Sequence, residues 1–563
     1  MRKRRFRLLG MLLPLALIVA SCGADDEGGE QDDEEEGDFS ALNYDESAQC
    51  GTDAYPGNLA GIEAVDRLTV RFTLCNPDVA FPSKVAFSAM SIFPSEALEE
   101  ARDVPDGQPN PLVEAPIGTG PYALSAWERG NQVVLAANDD YWGEAPPFET
   151  VVFRWGTEAA QRRVELESFS VDAIDNVGTD DFEGIEGNAD LQLIERDPLN
   201  VFYVGMNVDT PPFDNEQVRQ AIGLALNRQT IVDNFYPRGS VAASQFLPPA
   251  IPGFVEDFTD FEFNRQQAID LLAQAGFPDG FDIALSYRDV VRGYLPQPTV
   301  VGQDIANQLS EVGINVSLDL QESTTFLDNT QAGTVPFYML GWGADYPDPT
   351  NFFDFHFGPG ASQQFGTGFP DIHERLAAGG QTTDEAERDS IYAEVAELLA
   401  EHAPMIPVAY GGSAVAYKAQ VEGAHASPLS NESIAAMSIE GQDQFVFMQN
   451  GEPGGLYCAD ETDGESLRVC EQINEALLGY EIGGTDVVEV LAESFEPNDD
   501  LTEWTFTLRD DVVFHDGSSL DANDVVESYR VMWDAADPRH KGRTGEYFYF
   551  SAFFGAFLNQ PAE

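Results

Sequence analysis

The chain has 563 residues, of which 43% are hydrophobic and 11% aromatic, so it has enough apolar material for two or three domain cores. With 97 Asp and Glu against 29 Lys and Arg, nucleic acid is an unfavourable partner, because phosphate binding needs positive charge. Such an acidic balance is typical either of a saline environment, which screens self-repulsion, or of an exported protein with an acidic surface.

Residues 1–21 predict a secretory signal peptide. MRKRRFR carries five basic residues, and LLGMLLPLALIVA is an apolar stretch too short for a typical membrane span. Val19-Ala20-Ser21-Cys22 resembles the bacterial lipoprotein box, which implies that Cys22 becomes a lipid-carrying N-terminus. The alternative is an ordinary cleaved signal followed by a chance cysteine. Removing the signal leaves 24 basic residues against 97 acidic ones.

Residues 22–40 are rich in charge and glycine, and we expect them to form a disordered tether between the membrane and a folded body. Four cysteines remain after Cys22, an even number that favours disulfides in an exported chain. Short separations favour the pairs Cys50–Cys75 and Cys458–Cys470 among three possible connectivities. No CxxC motif or histidine cluster accompanies them, so no metal site is predicted.

The body alternates helices and strands. RLTVRFTL, NQVVLAAN and EWTFTLRDDVVFHDG alternate with period two and predict antiparallel strands. A helix is predicted from the N-cap Asp214 onward. Two helix–glycine–strand units follow, one stopped at Gly276 and one at Gly313, and VPFYMLGW is an apolar strand that leads into GADYPDPTNFFD. This order predicts an α/β fold and places Asp345 at the carboxyl end of a buried strand, where open α/β sheets bind ligands.

Four stretches together resemble the solute-binding proteins of ABC importers, family 5, the oligopeptide-, dipeptide- and nickel-binding group. They are AESFEPNDDLTEWTFTLRDDVVFHDGSSLDANDVVES (492–528), PIGTGPYALSAWERGNQVVLAANDDYWG (116–143), DNEQVRQAIGLALNRQTIV (214–232, with Asn227 where the family usually has Asp) and GWGADYPDPTNFFD (341–354). The resemblance implies a two-lobed periplasmic-binding-protein-like fold (type II, large peptide-binding subclass), with discontinuous lobes joined by a hinge.

The order of segments departs from the family. The unit FVFMQNGEPGGLYCADETDGESLRVCEQINEALLGYE, which begins at Phe445, resembles the family's N-terminal quarter, so the chain is interpreted as circularly permuted; a reordering during gene assembly is the alternative. The resemblance then implies lobe 1 at 41–200, lobe 2 at 201–410, a return to lobe 1 at 411–441, and the relocated lobe 1 unit at 442–563.

The resemblance also implies the site. In oligopeptide-binding relatives the aspartate in the place of Asp345 binds the α-amino group of the peptide, and Trp342, Tyr346 and Arg288 complete the predicted ligand-binding set. An ammonium ion would supply both counter-charge and hydrogen bonds to a carboxylate walled by aromatic residues. The alternatives are a turn-capping Asp345, a core Trp342 and a surface Arg288. Arg292 is a weaker candidate for a carboxylate partner, and for 547–557 packing is favoured over lining the cleft.

The predicted function is the membrane-anchored binding component of an ABC importer that captures peptides in an interlobe cleft. Its predicted partners are the permease and ATPase subunits, with no nucleic acid, no cofactor, no metal and no catalytic residue, and with contact to the membrane through lipid only. The protein is expected to be a monomer outside the cytoplasm. Alternative cargoes are nickel chelates and oligosaccharides; an exported glycoside hydrolase and a surface adhesion protein are the other classes. P-loop, GxSxG and HExxH motifs do not occur.

Overall fold

A computed structural model describes residues 39–44, 48–52, 55–105, 107–358 and 361–559. Cys22 and the signal and tether up to residue 38 lie outside the described residues. The strands are β1 (Asn43–Tyr44), β2 (Leu59–Asp66), β3 (Thr69–Leu74), β4 (Tyr122–Glu128), β5 (Gln132–Ala137), β6 (Thr150–Trp155), β7 (Ala173–Ile174), β8 (Leu191–Arg196), β9 (Asn200–Met206), β10 (Val241–Ala242), β11 (Phe281–Tyr287), β12 (Ile314–Leu320), β13 (Phe337–Gly343), β14 (Met405–Tyr410), β15 (Ser413–Lys418), β16 (Gln444–Gln449), β17 (Leu478–Tyr480), β18 (Val487–Glu489), β19 (Ala492–Pro497) and β20 (Glu503–Leu508).

The α-helices are α1 (Phe81–Ala86), α2 (Ser95–Glu100), α3 (Ala159–Glu167), α4 (Phe182–Glu186), α5 (Glu216–Ala225), α6 (Arg228–Phe235), α7 (Arg265–Gln274), α8 (Pro298–Ser310), α9 (Ser323–Gln331), α10 (Pro349–Phe357), α11 (Pro370–Gly379), α12 (Glu385–His402), α13 (Gly464–Ile473), α14 (Ala522–Trp533) and α15 (Phe548–Phe554). Single 3₁₀ turns cover Ser88–Met90, Ala101–Asp103, Pro111–Val113, Thr179–Asp181, Gln363–Phe365, Ile434–Ala436 and Cys458–Asp460. In the part of the chain that the structure describes, none of these helices combines the length and apolar character needed to cross a bilayer.

A six-stranded sheet, in the order β10-β14-β9-β13-β11-β12, forms what we call the second lobe, residues 200–410. Strand β11 runs parallel to β12 and β13, whereas β9 runs antiparallel to β13 and β14. Every residue of β9 after Asn200 is buried, with Phe202 and Val204 in one core and Val201 and Tyr203 in another. The sheet is therefore covered on both faces, and the predicted α/β architecture is confirmed.

Local signals set the elements of this lobe, with one shift from prediction. The predicted helix from Asp214 is two helices, α5 and α6, and α5 is capped by Asn215, whose side chain accepts from the Gln217 amide. Asn227 caps α6 by accepting from the Thr230 amide. An asparagine serves this role as well as an aspartate, so the departure from the family pattern preserves the helix start.

Two large sheets and the two-stranded sheet β17-β18 lie in what we call the first lobe, made of the described residues of 41–199 and 411–559. One large sheet has the order β4-β5-β6-β16-β7-β15-β8 and the other the order β1-β2-β3-β20-β19. Strand β16 lies parallel to and between β6 and β7, and β20 pairs antiparallel with β3. The period-two stretches are thus antiparallel strands. Residues 444–508 share both sheets with residues 43–196.

Three of the sequence motifs meet at the end of α13. A Cβ at Gly118 would lie 2.2 Å from the Ile473 carbonyl oxygen, so only glycine permits this close approach. The Glu475 carboxylate accepts hydrogen bonds from the Thr119 hydroxyl (2.8 Å), the Tyr141 hydroxyl (2.8 Å) and the Trp142 indole (2.9 Å). The Gly-Thr-Gly-Pro-Tyr and Asp-Tyr-Trp segments therefore anchor the 445–563 unit to the rest of the first lobe.

Within the described ranges, the chain passes between the lobes at residues 196–200 and at residues 410–413. Asn200 joins the two crossings, because its amide nitrogen donates to the Gly411 carbonyl (2.7 Å) and its amide oxygen accepts from the Gly411 N–H (2.8 Å). These two adjacent crossings form a hinge of the kind expected for two-lobed binding proteins.

The cysteines of the described chain behave in two ways. Cys50 and Cys75, one of the predicted pairs, are joined by a disulfide with an S–S distance of 1.98 Å. Cys458 and Cys470 are free, buried thiols, so the second predicted disulfide is absent from the structure. The Cys458 sulfur instead accepts from the Asn474 amide at 3.3 Å, and both thiols are packed within the protein like small apolar side chains.

Candidate functional site

Asp345 lies in the loop between β13 and α10, on the carboxyl side of a strand flanked by β9 and β11. The loop is fixed at its start by the Ala344 N–H, which donates to the Leu199 carbonyl (2.7 Å) next to the hinge. It is fixed at its end by Asp348, which caps α10 through the Thr350 amide (3.0 Å). The chain thus holds Asp345 at the edge of the sheet where β13 ends.

The Asp345 carboxylate is bound by neutral groups. Its Oδ2 accepts from the Asn351 amide nitrogen (3.0 Å), and the neutral Tyr549 hydroxyl lies close enough to the same carboxylate to lower its pKa. Among the residues that the structure describes, Asp345 forms no ion pair. Burial therefore raises the pKa of Asp345 to about 6, against which the Asn351 amide and the Tyr549 hydroxyl act.

Trp342 stands beside this carboxylate as part of the second lobe. Its indole N–H donates to the Asn351 oxygen (3.1 Å), and its ring stacks on Phe355 with a centroid distance of 4.0 Å. Asn351 therefore fixes both Trp342 and Asp345. The half-buried indole forms an aromatic wall next to the carboxylate.

Tyr346 lies at the contact between the lobes. Its hydroxyl is bonded to the Thr350 hydroxyl (3.2 Å), and its ring meets Phe553 of the first lobe edge-on at 5.0 Å. The Lys84 ammonium, also from the first lobe, lies 5.8 Å from the ring centroid. Because Tyr346 is 4% exposed, its role in this structure is to join the lobes.

Within the aromatic run at 547–557, Phe548–Phe554 form α15, which packs in the first lobe, as predicted, and also contacts the second lobe. Phe550 and Phe554 are buried in the first lobe, where Phe554 contacts Phe81 at 6.0 Å. Tyr549 and Phe553, each one residue earlier in the chain, face Asp345 and Tyr346 of the second lobe. The two residues of each pair are four positions apart, so each pair lies on one face of α15. This spacing is the sequence signal that separates the two faces.

Arg288 follows β11, so it lies on the same sheet edge as Asp345. Its guanidinium donates to the Ser323 hydroxyl (3.0 Å) and the Tyr294 hydroxyl (3.3 Å), and it has no acidic partner among the described residues. Arg292 is exposed and donates to the Val291 carbonyl. Arg288 is therefore the better placed of the two for a ligand carboxylate.

Two cations near the interlobe contact, Lys84 and Arg388, are paired with acids. Lys84 binds Asp78 at 2.7 Å, and Arg388 binds Asp348 through two bonds of 3.0 Å. Asp354 has no ion pair in the described chain and one fully buried oxygen without a hydrogen bond, and burial raises its pKa to about 7. The searched residues contain no group of three or more His, Cys, Asp or Glu placed to hold a metal ion.

The chain is similar in sequence to several known proteins. The family model described as "Bacterial extracellular solute-binding proteins, family 5 Middle" matches residues 34–364 and 486–548. The heme-binding protein A of Haemophilus influenzae is 26% identical over 393 residues, covering 69% of this chain and 71% of that protein. The dipeptide-binding protein of Escherichia coli is 28% identical over 390 residues, covering 68% and 72%.

Two solved structures resemble the fold. HbpA2 from Haemophilus parasuis has a TM-score of 0.60 at 29% identity and covers 68% of this chain and 76% of its own. The dipeptide-binding protein from Pseudoalteromonas sp. SM9913, solved with Met-Leu, has a TM-score of 0.59 at 26% identity with the same coverage. The chain therefore belongs to family 5 of the bacterial extracellular solute-binding proteins.

Proposed function

We propose that this protein is the substrate-binding component of an ABC importer and captures short peptides between its two lobes. The observation that carries the proposal is Asp345: a half-buried carboxylate after β13, at the edge of the sheet, with neutral groups around it and without an ion pair in the described chain. A peptide α-ammonium supplies the missing positive charge. The relatives named as dipeptide-binding proteins support this cargo.

We assign roles to three of the predicted residues, Asp345, Trp342 and Arg288, and to Asn351, while Tyr346 joins the lobes. Asp345 accepts the ammonium protons, Asn351 holds the carboxylate in place, and Trp342 walls the amine from water. Arg288, on the same sheet edge, meets the peptide carboxylate. A free dipeptide carries one positive and one negative end, so this pair also sets its direction.

Closure of the lobes completes the site. In this structure the lobes touch where Tyr549 lies beside Asp345, where the Tyr346 ring meets Phe553, and through the Val79 N–H, which donates to the Gly380 carbonyl at 3.3 Å. On the hinge side, Arg238 of the second lobe pairs with Glu186 and Glu195 of the first. A ligand that contacts both lobes favours the closed form by the difference in its affinity for the two forms.

The direct test is isothermal titration calorimetry with a dipeptide, its N-acetylated form and its amidated form. We expect stoichiometric binding of the free dipeptide and strong weakening by acetylation, because acetylation removes the charge that Asp345 binds. Equal affinity for the acetylated peptide would remove the role of Asp345. Binding of none of a diverse peptide set, with capture of a different solute during purification, would replace peptide by that cargo.

We also propose that the chain is anchored through lipid at Cys22, with residues 22–40 as a tether that lets the folded body reach a permease. The support is the sequence box and the charged, glycine-rich composition of the tether. Attachment through such a segment would leave both lobes free to open and close.

A circular permutation relative to the family is a further part of the proposal. Its support is that β16 lies between β6 and β7 and that β20 pairs with β3, so residues 442–563 complete the lobe begun by residues 41–200. Peptide mapping of protein purified from its natural cells tests this. A peptide that spans residues 436–448 supports the permutation, and a different sequence preceding Phe445 overturns it in favour of a reordering during gene assembly.

A further inference from the structure

A second carboxyl group with unused bonding capacity lies in the first lobe, on α13. Glu471 lies on α13 beside the turn Ser88–Met90, and its Oε2 is buried without a hydrogen bond from any described residue. The neighbouring Ser88 is 8% exposed, and its hydroxyl stands beside the carboxyl group without a partner of good hydrogen-bond geometry. Two polar groups are therefore left with unused bonding capacity at one buried point.

The positive charge nearest to Glu471 is already used elsewhere. The Arg468 guanidinium binds Asp175 at 2.9 Å and Glu432 at 3.3 Å, and both of those acids are buried with it. Burial consequently raises the pKa of Glu471 to about 8, which the Ser88 hydroxyl and Arg468 only partly oppose. A cation placed at Glu471 would remove this cost.

Contacts connect Glu471 to Asp345 across the lobes. Tyr549, whose hydroxyl lies beside Asp345, packs its ring 4.6 Å from Phe87, and Phe87 directly precedes Ser88. The Tyr480 phenol, held by a 2.7 Å bond to the Ser83 carbonyl, is near enough to both carboxylates that each raises its pKa. Asp345 of the second lobe and Glu471 of the first lobe therefore both act on Tyr480.

We propose that Glu471 is a specificity-determining residue that binds a second positive charge on the ligand. This inference rests on the proposed function, because Asp345 must bind the first charge, the α-ammonium. The favoured ligand class is then a short peptide with a lysine or arginine side chain, and its two cations bridge the lobes. The side-chain ammonium donates hydrogen bonds to the Glu471 carboxylate and to the Ser88 hydroxyl oxygen, so both unused groups become bonded.

The test compares peptides that differ in one charge. A set of tripeptides carries lysine or norleucine at each position in turn, with alanine elsewhere, and calorimetry measures binding to the full chain. Norleucine keeps most of the apolar chain of lysine and lacks the ammonium. We expect lysine to be preferred by roughly tenfold or more at one position, because a buried charge pair is strengthened by exclusion of water.

Variants separate this role from a structural one. Glu471→Gln should bind the norleucine peptide as the wild type does and lose the lysine preference, and Ser88→Ala should reduce that preference. Glu475→Gln is the matched control. The Glu475 carboxyl lies in the same segment and also has a raised pKa, but it accepts hydrogen bonds from three side chains of the protein itself. It should keep the lysine preference.

The outcomes are distinct. If the wild type binds norleucine and lysine peptides equally at every position, or if the preference survives in Glu471→Gln, Glu471 does not bind the ligand and peptide capture stands. Should Glu471→Gln fail to fold, the wild-type comparison and Ser88→Ala decide the matter. If no peptide of the set binds, the proposed function and this inference both fail.

Discussion

The Tyr549 hydroxyl of the first lobe lies beside the Asp345 carboxylate of the second lobe and lowers its pKa. The two residues lie 204 positions apart in sequence, and their approach places a titratable group at the contact that closure creates. Tyr549 partly replaces the donors that a ligand ammonium offers, but it brings no charge. The ligand-free closed form therefore keeps a carboxylate that is costly to ionise, and a cationic ligand removes that cost.

Closure and peptide affinity should accordingly depend on pH through Asp345. Its pKa in the closed form is raised to about 6 from an ordinary 3.8, so closure without ligand is favoured when the carboxyl is protonated and is weakened as pH rises through 6. Peptide affinity should instead rise from pH 4 to pH 7, because the ionised carboxylate binds the ammonium. Small-angle scattering and calorimetry over this range measure the two effects.

Asp345→Asn should lower peptide affinity by roughly 30-fold or more at pH 7 and flatten its pH dependence. The matched control is Asp282→Asn, an exposed carboxyl on β11 of the same lobe, which should leave both unchanged. An Asp345→Asn protein with wild-type affinity at pH 7 would show that the amine binds elsewhere.

The hinge should depend on Asn200. Asn200→Ala removes both bonds to Gly411 and leaves one backbone donor and one acceptor without a side-chain partner, at a cost of about 1–3 kcal/mol. We expect a lower melting temperature and a wider distribution of lobe separations in single-molecule fluorescence. Asn315→Ala, a change on β12 that removes an exposed amide bond to Asp282 on β11, is the control and should change neither.

Local chemistry in the sequence was enough to predict much of the second lobe. Glycines at 276 and 313 adopt positive φ after α7 and α8, and each is followed by a strand, as the helix–glycine–strand pattern predicts. The same reasoning placed Asp345 after a buried strand. Where two good caps adjoin, as at Asp214 and Asn215, composition alone did not decide which one is used.

Contacts between distant segments could not be predicted from the sequence. Nothing local to the aromatic run indicates that Tyr549 lies beside Asp345, and nothing local to α13 indicates that Glu471 and Asp345 both act on Tyr480. The cysteine prediction shows the same limit: a separation of 12 residues is compatible with a disulfide, but α13 and the Asn474 amide set the environment of Cys458 and Cys470. Spacing constrains the chain path, whereas side-chain orientation depends on the tertiary fold.

The lipid anchor predicts a simple change in partitioning. Cys22→Ala removes the thiol that the lipoprotein box implies is acylated, so the protein should leave the membrane fraction and appear in the soluble one. Cys50→Ala, which breaks the disulfide in the folded body, is the control and should stay with the membrane. A Cys22→Ala protein that remains membrane-bound after washing at high salt would contradict the anchor.

Acid should destabilise the second lobe through His356. The side chain is 3% exposed; its Nδ1 lies 2.6 Å from the Phe352 carbonyl and its Nε2 lies 3.4 Å from the Tyr203 hydroxyl, an arrangement that suits the neutral ring. Burial lowers the pKa of His356 to about 4 from 6.5. The unfolded chain therefore binds more protons between these values, and stability is lost as pH falls from about 6.5 to 4, by on the order of 3 kcal/mol.

Thermal melting at pH steps between 7 and 4 measures this loss in the wild type and in His356→Gln. The variant should start from a lower melting temperature, because it disturbs a packed core, and should then change less with pH over this window. His373→Gln, at an exposed histidine of α11, should follow the wild-type curve. Parallel curves for wild type and His356→Gln would assign the acid sensitivity to other groups. A buried histidine that takes up a proton on unfolding contributes to the pH dependence of stability, so its removal must change the slope of the curve.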